Sequence, residues 1–151
     1  MNLQTFLINA IPKATQDLET ALMRLPEEKR LWNAGGDARS ALDMVAEIAI
    51  LNGTTADTLQ NRGFGDFDWA AYAHKKAELA QDWPALKSLL DANTARVVEV
   101  IRALPDEALS VEVQMPWGAM TLAQLASYPY WNACYHEGQI NFIASMLGCL
   151  K

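Results

Sequence analysis

Four long stretches of this chain place apolar side chains at intervals of three and four, the spacing that lines one face of an α-helix. The first carries Leu3, Phe6, Leu7 and Ala10, then Ala14, Leu18, Ala21, Leu22 and Leu25. Pro12 falls inside it, so this helix is expected to kink or to start there, and Leu25-Pro26 ends it. The second, "SALDMVAEIAILNGTTADTL", opens with Ser40 and Asp43 in the S-x-x-D form of a capping box and runs to about Leu59. The third begins at an Asp-Trp-Pro start and shows one long face of Leu86, Leu89, Leu90, Val97, Ile101 and Leu104 before Pro105. Thr121 caps the fourth, which stops at Gly148.

The segments between them are of three kinds. "PEEKRLWNAGGDAR" is a linker, "NRGFGDFD" a loop, and "WAAYAHKKAELA" a short helix. "ALSVEVQMPWGAM" alternates, so Val111, Val113 and Met115 form a short extended piece rather than a sheet. The expected fold is all-α: one domain over residues 1–151, a four-helix bundle with one longer connection between the second and third helices.

Charge and composition exclude several functions. A net charge of -6 and a pI near 4.8 oppose binding to a phosphate backbone, and no basic patch interleaved with aromatics is present, so nucleic acid is not an expected partner. No apolar run reaches the roughly 18 residues of a membrane span, and "MNLQTFLINAIPK" lacks the charges and cleavage site of a secretion signal. Cys134 and Cys149 lie roughly 22 Å apart along one helix, too far to bridge, and read as free thiols in a reducing cytoplasm, Cys134 as a small buried hydrophobe. His74, beside two lysines, reads as solvated surface.

Two groups of polar residues do not belong to an apolar core. At about 100° per residue, Leu125, Asn132, His136, Ile143 and Leu147 share one stripe, placing an amide and an imidazole in the middle of a buried face. From Ala41 to Leu51 only Asp43 and Glu47 are not apolar. Asp43 is explained as the capping acid; Glu47, a turn further in, is not. A buried carboxylate needs a partner, and bundle cores are where facing helices assemble ligand sites. Glu47, Asn132 and His136 form a set able to bind a divalent cation (Zn, Ni, Mn or Fe) or to satisfy one another as a hydrogen-bonded network. Trp32 and Trp117, in connecting segments, are candidates for a pocket mouth.

Two blocks, "LWNAGGDARSALDMVAEIAILN" and "ALPDEALSVEVQMPWGAMTLAQLASYPYWNACYHEGQINFIASMLG", resemble the DinB/YfiT-like family of small helical, metal-dependent proteins. "HEGQI" followed by "LG" is the most specific piece. The resemblance places the family's three histidine ligands at Glu47, Asn132 and His136, of which only His136 keeps the usual residue, and it matches Gly138 and Gln139 as packing and ligand-supporting positions. It implies a metal-assisted, thiol-dependent transferase or a hydrolase acting on a small molecule. In that reading Glu47 and His136 are metal ligands, Asn132 is a weaker one, and Tyr135 or Gln139 contacts substrate. The partners implied are a small-molecule substrate or a low-molecular-weight thiol, and a helix-face homodimer is compatible. The competing reading is a non-catalytic binding bundle in which Glu47, Asn132 and His136 form a structural hydrogen-bond network. No catalytic residue is assigned by either.

Overall fold

The computed structural model describes residues 2–150. Five helices are present among them: α1 (Leu3–Arg24), α2 (Ala41–Asn61), α3 (Trp69–Leu79), α4 (Trp83–Ala103) and α5 (Leu122–Met146). The four long ones make the bundle, and the short α3 sits in the connection between α2 and α4. Polar side chains define most of the starts. Asn2 accepts from the Thr5 amide, Asp68 from those of Ala70 and Ala71, and Asp82 from that of Ala85. At α5 the box is complete: Thr121 and Gln124 each accept from the other's backbone N–H.

Three local expectations need correction. Pro12 does not begin α1, which runs through it from Leu3 to Arg24. Asp43 does not complete a capping box: Ser40 Oγ accepts from the Asp43 amide at 3.3 Å, but the Asp43 carboxylate turns to Arg39 and Lys76 instead. The alternating stretch does form a sheet, a two-stranded antiparallel hairpin of β1 (Glu112–Met115) and β2 (Gly118–Thr121) with Met115 opposite Gly118. Its reversal over Pro116 and Trp117 delivers Gly118 at φ +124°, a conformation that strains any residue with a Cβ.

Consecutive bundle helices are not all neighbours. α1 packs against α4 and α5, and α2 against the same two, so α1 and α2 lie nearly across the bundle from one another. The Leu25–Ser40 linker carries the chain over that diagonal. This arrangement seats α2 beside α5, which brings Glu47 within reach of Asn132 and His136.

The core has two apolar halves. One is built around Leu18, Leu22, Val45, Ile48, Leu86, Leu90 and Ile140, the other around Leu7, Ile11, Leu59, Val97, Ile101 and Leu122. Buried polar groups include Asn52, whose Nδ2 donates to Thr94 Oγ1 at 3.1 Å. Leu18 is fully buried in the first half. Leu18→Ala should therefore cost about 3 kcal/mol of unfolding free energy, whereas Leu3→Ala, at the exposed start of α1, should cost less than about 0.5 kcal/mol. Chemical denaturation of both variants checks this.

Candidate functional site

Glu47 sits in the second turn of α2, on a helix that is otherwise buried on most sides. A carboxylate there must be compensated or it will neutralise itself by taking up a proton. The structure compensates it on both oxygens. His136 Nε2, from α5, lies 3.0 Å from Oε1, and Asn132 Nδ2 donates to the same oxygen at 3.5 Å. Arg39, from the linker just before the Ser40 cap, places Nη1 2.7 Å from Oε2. The three residues singled out from the sequence therefore meet, and a fourth that sequence reasoning passed over meets them.

The arrangement continues outward in both directions. Arg39 Nε and Nη2 donate to the side chain and backbone carbonyl of Asp43, and Asp43 Oδ1 lies 3.2 Å from Lys76 Nζ of α3. On the other side His136 Nδ1 lies 2.6 Å from Gln139 Oε1, which holds the ring plane. Charges alternate along the series Lys76, Asp43, Arg39 and Glu47, so each ionic group has an opposite neighbour. Burial works to raise the Glu47 carboxyl, but the hydrogen bond from His136 and the Arg39 charge outweigh it and hold its pKa at about 2.

Beside Glu47 opens a cavity of about 240 Å³. Leu51, Thr55, Leu125 and Met115 line its inner part, and Phe64, Phe67, Trp69 and Trp117 surround its mouth. The mouth aromatics touch: Phe64 and Phe67 stack at 5.2 Å, and Trp117 meets Phe64 edge-on at 5.8 Å. Tyr72 and Tyr128 also face the cavity. Burial first, then the negative Glu47 nearby, pushes both phenols up, so each keeps its proton. Of the polar set only Glu47 reaches this cavity; Asn132 and His136 are each 3% exposed and lie behind it.

Other sequence expectations fall differently. Trp117 lines the mouth, but Trp32 packs against the core away from it. Tyr135 and Gln139 border a shallower cleft on the far side of Arg39, with Phe142 and Met146, and not the cavity at Glu47. Cys134 is exposed rather than buried, because it points away from the Asn132–His136 stripe; both thiols are free. His74 is solvent-exposed, 3.2 Å from Glu78. Tyr72 and Tyr128 had no signal of their own, since one lies in a short exposed helix and the other in an aromatic-rich run.

A divalent ion does not fit these residues as they stand. An ionised carboxylate cannot donate, so the contact with His136 requires a proton on Nε2, the nitrogen that faces Glu47 and would bind a metal. An amide beside a carboxylate presents its NH₂ group, which is no ligand. The free approach to Oε2 is held by a guanidinium. Among the described residues no group of three or more His, Cys, Asp or Glu is placed to hold an ion.

The Glu47 interactions set a pH dependence. Its carboxyl titrates at about 2 in the folded chain against an ordinary value of 4.5. The stabilisation is therefore complete above pH 4.5 and drains away as pH falls toward 2. Glu47→Gln should cost about 1–2 kcal/mol at pH 7, and the gap between variant and wild type should close over that acid range in thermal or urea unfolding.

The comparisons with known proteins agree with this architecture. YfiT from Bacillus subtilis, described as a probable metal-dependent hydrolase with an unusual four-helix bundle topology, superposes with a TM-score of 0.82 at 14% identity, over 96% of this chain and 87% of its own. A mycothiol-dependent maleylpyruvate isomerase gives 0.75 at 14% identity, over 93% of this chain and 61% of its own. The colibactin self-resistance protein ClbS, in complex with double-stranded DNA, gives 0.66 at 16% identity, over 94% of this chain and 95% of its own. Likeness at these identities is likeness of fold. No curated protein sequence matches the chain significantly. The DinB superfamily model matches residues 10–140, and the chain belongs to that superfamily.

Proposed function

We propose that this protein is a small-molecule-binding bundle that takes a largely apolar ligand into the aromatic cavity and anchors one hydrogen-bond donor of that ligand on Glu47. The carrying observation is that Glu47 is the one charged residue lining a cavity otherwise walled by apolar and aromatic side chains and three threonines. This is the usual composition of a ligand site: apolar walls and a few placed polar groups. A carboxylate offers about four acceptor positions. His136, Asn132 and Arg39 take three of them, which leaves one for a ligand. Tyr72 and Tyr128, both protonated, supply hydroxyls to the same space.

Glu47 is a poor choice for acid–base chemistry. A general base works best with a pKa near the working pH, and a group at about 2 is several units too weak. Thiol-dependent transfer or hydrolysis assisted by a metal is what the resemblance implies. It would require Arg39 to leave Oε2, Asn132 to turn its amide, and His136 to free Nε2. The observed hydrogen bonds support binding instead, with Glu47, Asn132 and His136 as the structural network. The DNA complex of ClbS is not extended to this chain, whose net charge of -6 repels a phosphate backbone.

The test is a matched panel of small apolar molecules, phenols and anilines against their fully methylated isosteres, followed by tryptophan fluorescence, since Trp69 and Trp117 stand at the mouth. A hydrogen bond to a charged acceptor contributes about 1.5–3 kcal/mol, so the donors should bind at least about tenfold more tightly than the isosteres. Glu47→Gln should remove most of that preference. Equal binding of donors and isosteres, or no binding of either, would overturn the reading.

A further inference from the structure

We propose that the Arg39 guanidinium is this chain's resident cation, standing at Glu47 where a metal-dependent bundle of this fold would hold a divalent ion, so that the Glu47, Asn132 and His136 set is closed to metal. This goes beyond ligand binding in the aromatic cavity and does not rest on it.

The first argument is pre-organisation. Arg39 is not a loose surface side chain that happens to reach Glu47. Two of its nitrogens are committed to Asp43, to the carboxylate and the backbone carbonyl, and this leaves Nη1 aimed at Glu47 Oε2. Asp43 is in turn held by Lys76 from α3. A planar fork fixed at one end in this way loses little freedom when the other end pairs. The backbone fixes the origin as well: Arg39 directly precedes the Ser40 cap, and the Leu42 amide, one turn on, donates to the Arg30 carbonyl across the linker.

The second argument is that all three side chains are arranged to suit an organic cation rather than a metal ion. Glu47 brings the negative charge that a guanidinium needs and that a neutral ligand would not. Asn132 and His136 both direct N–H groups at Glu47 Oε1, the geometry for holding a carboxylate in place, where metal ligands would turn lone pairs inward. An incoming dication would meet the positive charge of Arg39 a few ångströms away, a repulsion that water screens in part because the Arg39 side chain is 32% exposed and Glu47 15%.

The experiment uses tag-free full-length protein in four forms: wild type, Arg39→Met, Arg39→Met with Asn132→His, and Arg39→Lys. Each is stripped with EDTA, exposed separately to Zn²⁺ and Ni²⁺, desalted, and read by elemental analysis and by the shift in Tm on adding the ion. Wild type and Arg39→Lys, which keeps the charge, should retain no stoichiometric metal and show no shift. The double variant restores an imidazole and removes the cation; it should retain about one ion per chain and bind at least about tenfold more tightly than wild type. Retention of about one ion per chain by wild type, lost on His136→Ala, would overturn the proposal, and that arm depends on no Arg39 variant folding. A folded double variant, verified by circular dichroism, that binds metal no better than wild type would overturn it too. Neither result bears on the fluorescence panel, so a failure here is distinct from a failure of the ligand reading.

Discussion

An ionised carboxylate inside a helix bundle constrains everything near it, because it must be met by donors from several directions at once or it ceases to be ionised. Glu47 is met from two directions. α5 supplies Asn132 and His136, and the linker supplies Arg39. The first requirement forces α2 and α5 to be adjacent, and the second forces the chain entering α2 to pass close over the same spot. The diagonal placement of α1 and α2 satisfies both, since the long crossing between them brings residue 39 down onto the α2–α5 seam. Buried ionic groups of this kind add less to net stability than their contacts suggest. Their contribution here is to fix which helices touch and in what register.

Much of this was legible from residue types and spacing. The stripe through Asn132 and His136 follows from the period of the helix, and the anomaly of Glu47 follows from its apolar neighbours. Four amphipathic segments of sufficient length leave few alternatives to a bundle. What was hidden depended on tertiary proximity. Arg39 lies in a linker of mixed polarity, where an arginine draws no notice, and only the folded path shows it reaching a carboxylate eight positions along the chain. Asp43 looked like a capping acid because its local pattern was correct, but a guanidinium and an ammonium nearby offered more than one backbone amide. Pro12 leaves the helix intact although it removes a hydrogen bond, because the residues around it, Ile11 and Ala14, are buried against neighbouring helices and tertiary packing outweighs the local cost. The hairpin escaped notice for the opposite reason: only its first strand alternates clearly, and the second is too small and glycine-led to register as a strand.

The superfamily assignment and the site chemistry are separate statements. A backbone shared with YfiT at 14% identity establishes the fold alone, and the polar set between α2 and α5 is read from this chain's own side chains. The fold does not establish what occupies that position, which is decided by side chains. In this chain they are a carboxylate, an amide, an imidazole and a guanidinium, a combination whose internal charges already balance.

The cavity mouth is assembled from two short segments that each close on themselves, the loop between α2 and α3 and the turn of the hairpin, while the long helices contribute only the deeper wall. Phe64 packs against the core beneath, but Phe67 and Trp117 are outside the packing that keeps the bundle folded. Changes of size or shape at these positions can re-cut the entrance for a different guest while the scaffold beneath stays as it is. In the proposed ligand reading the mouth tunes selectivity and the core carries foldedness, with Met115 and Leu125 shared by both.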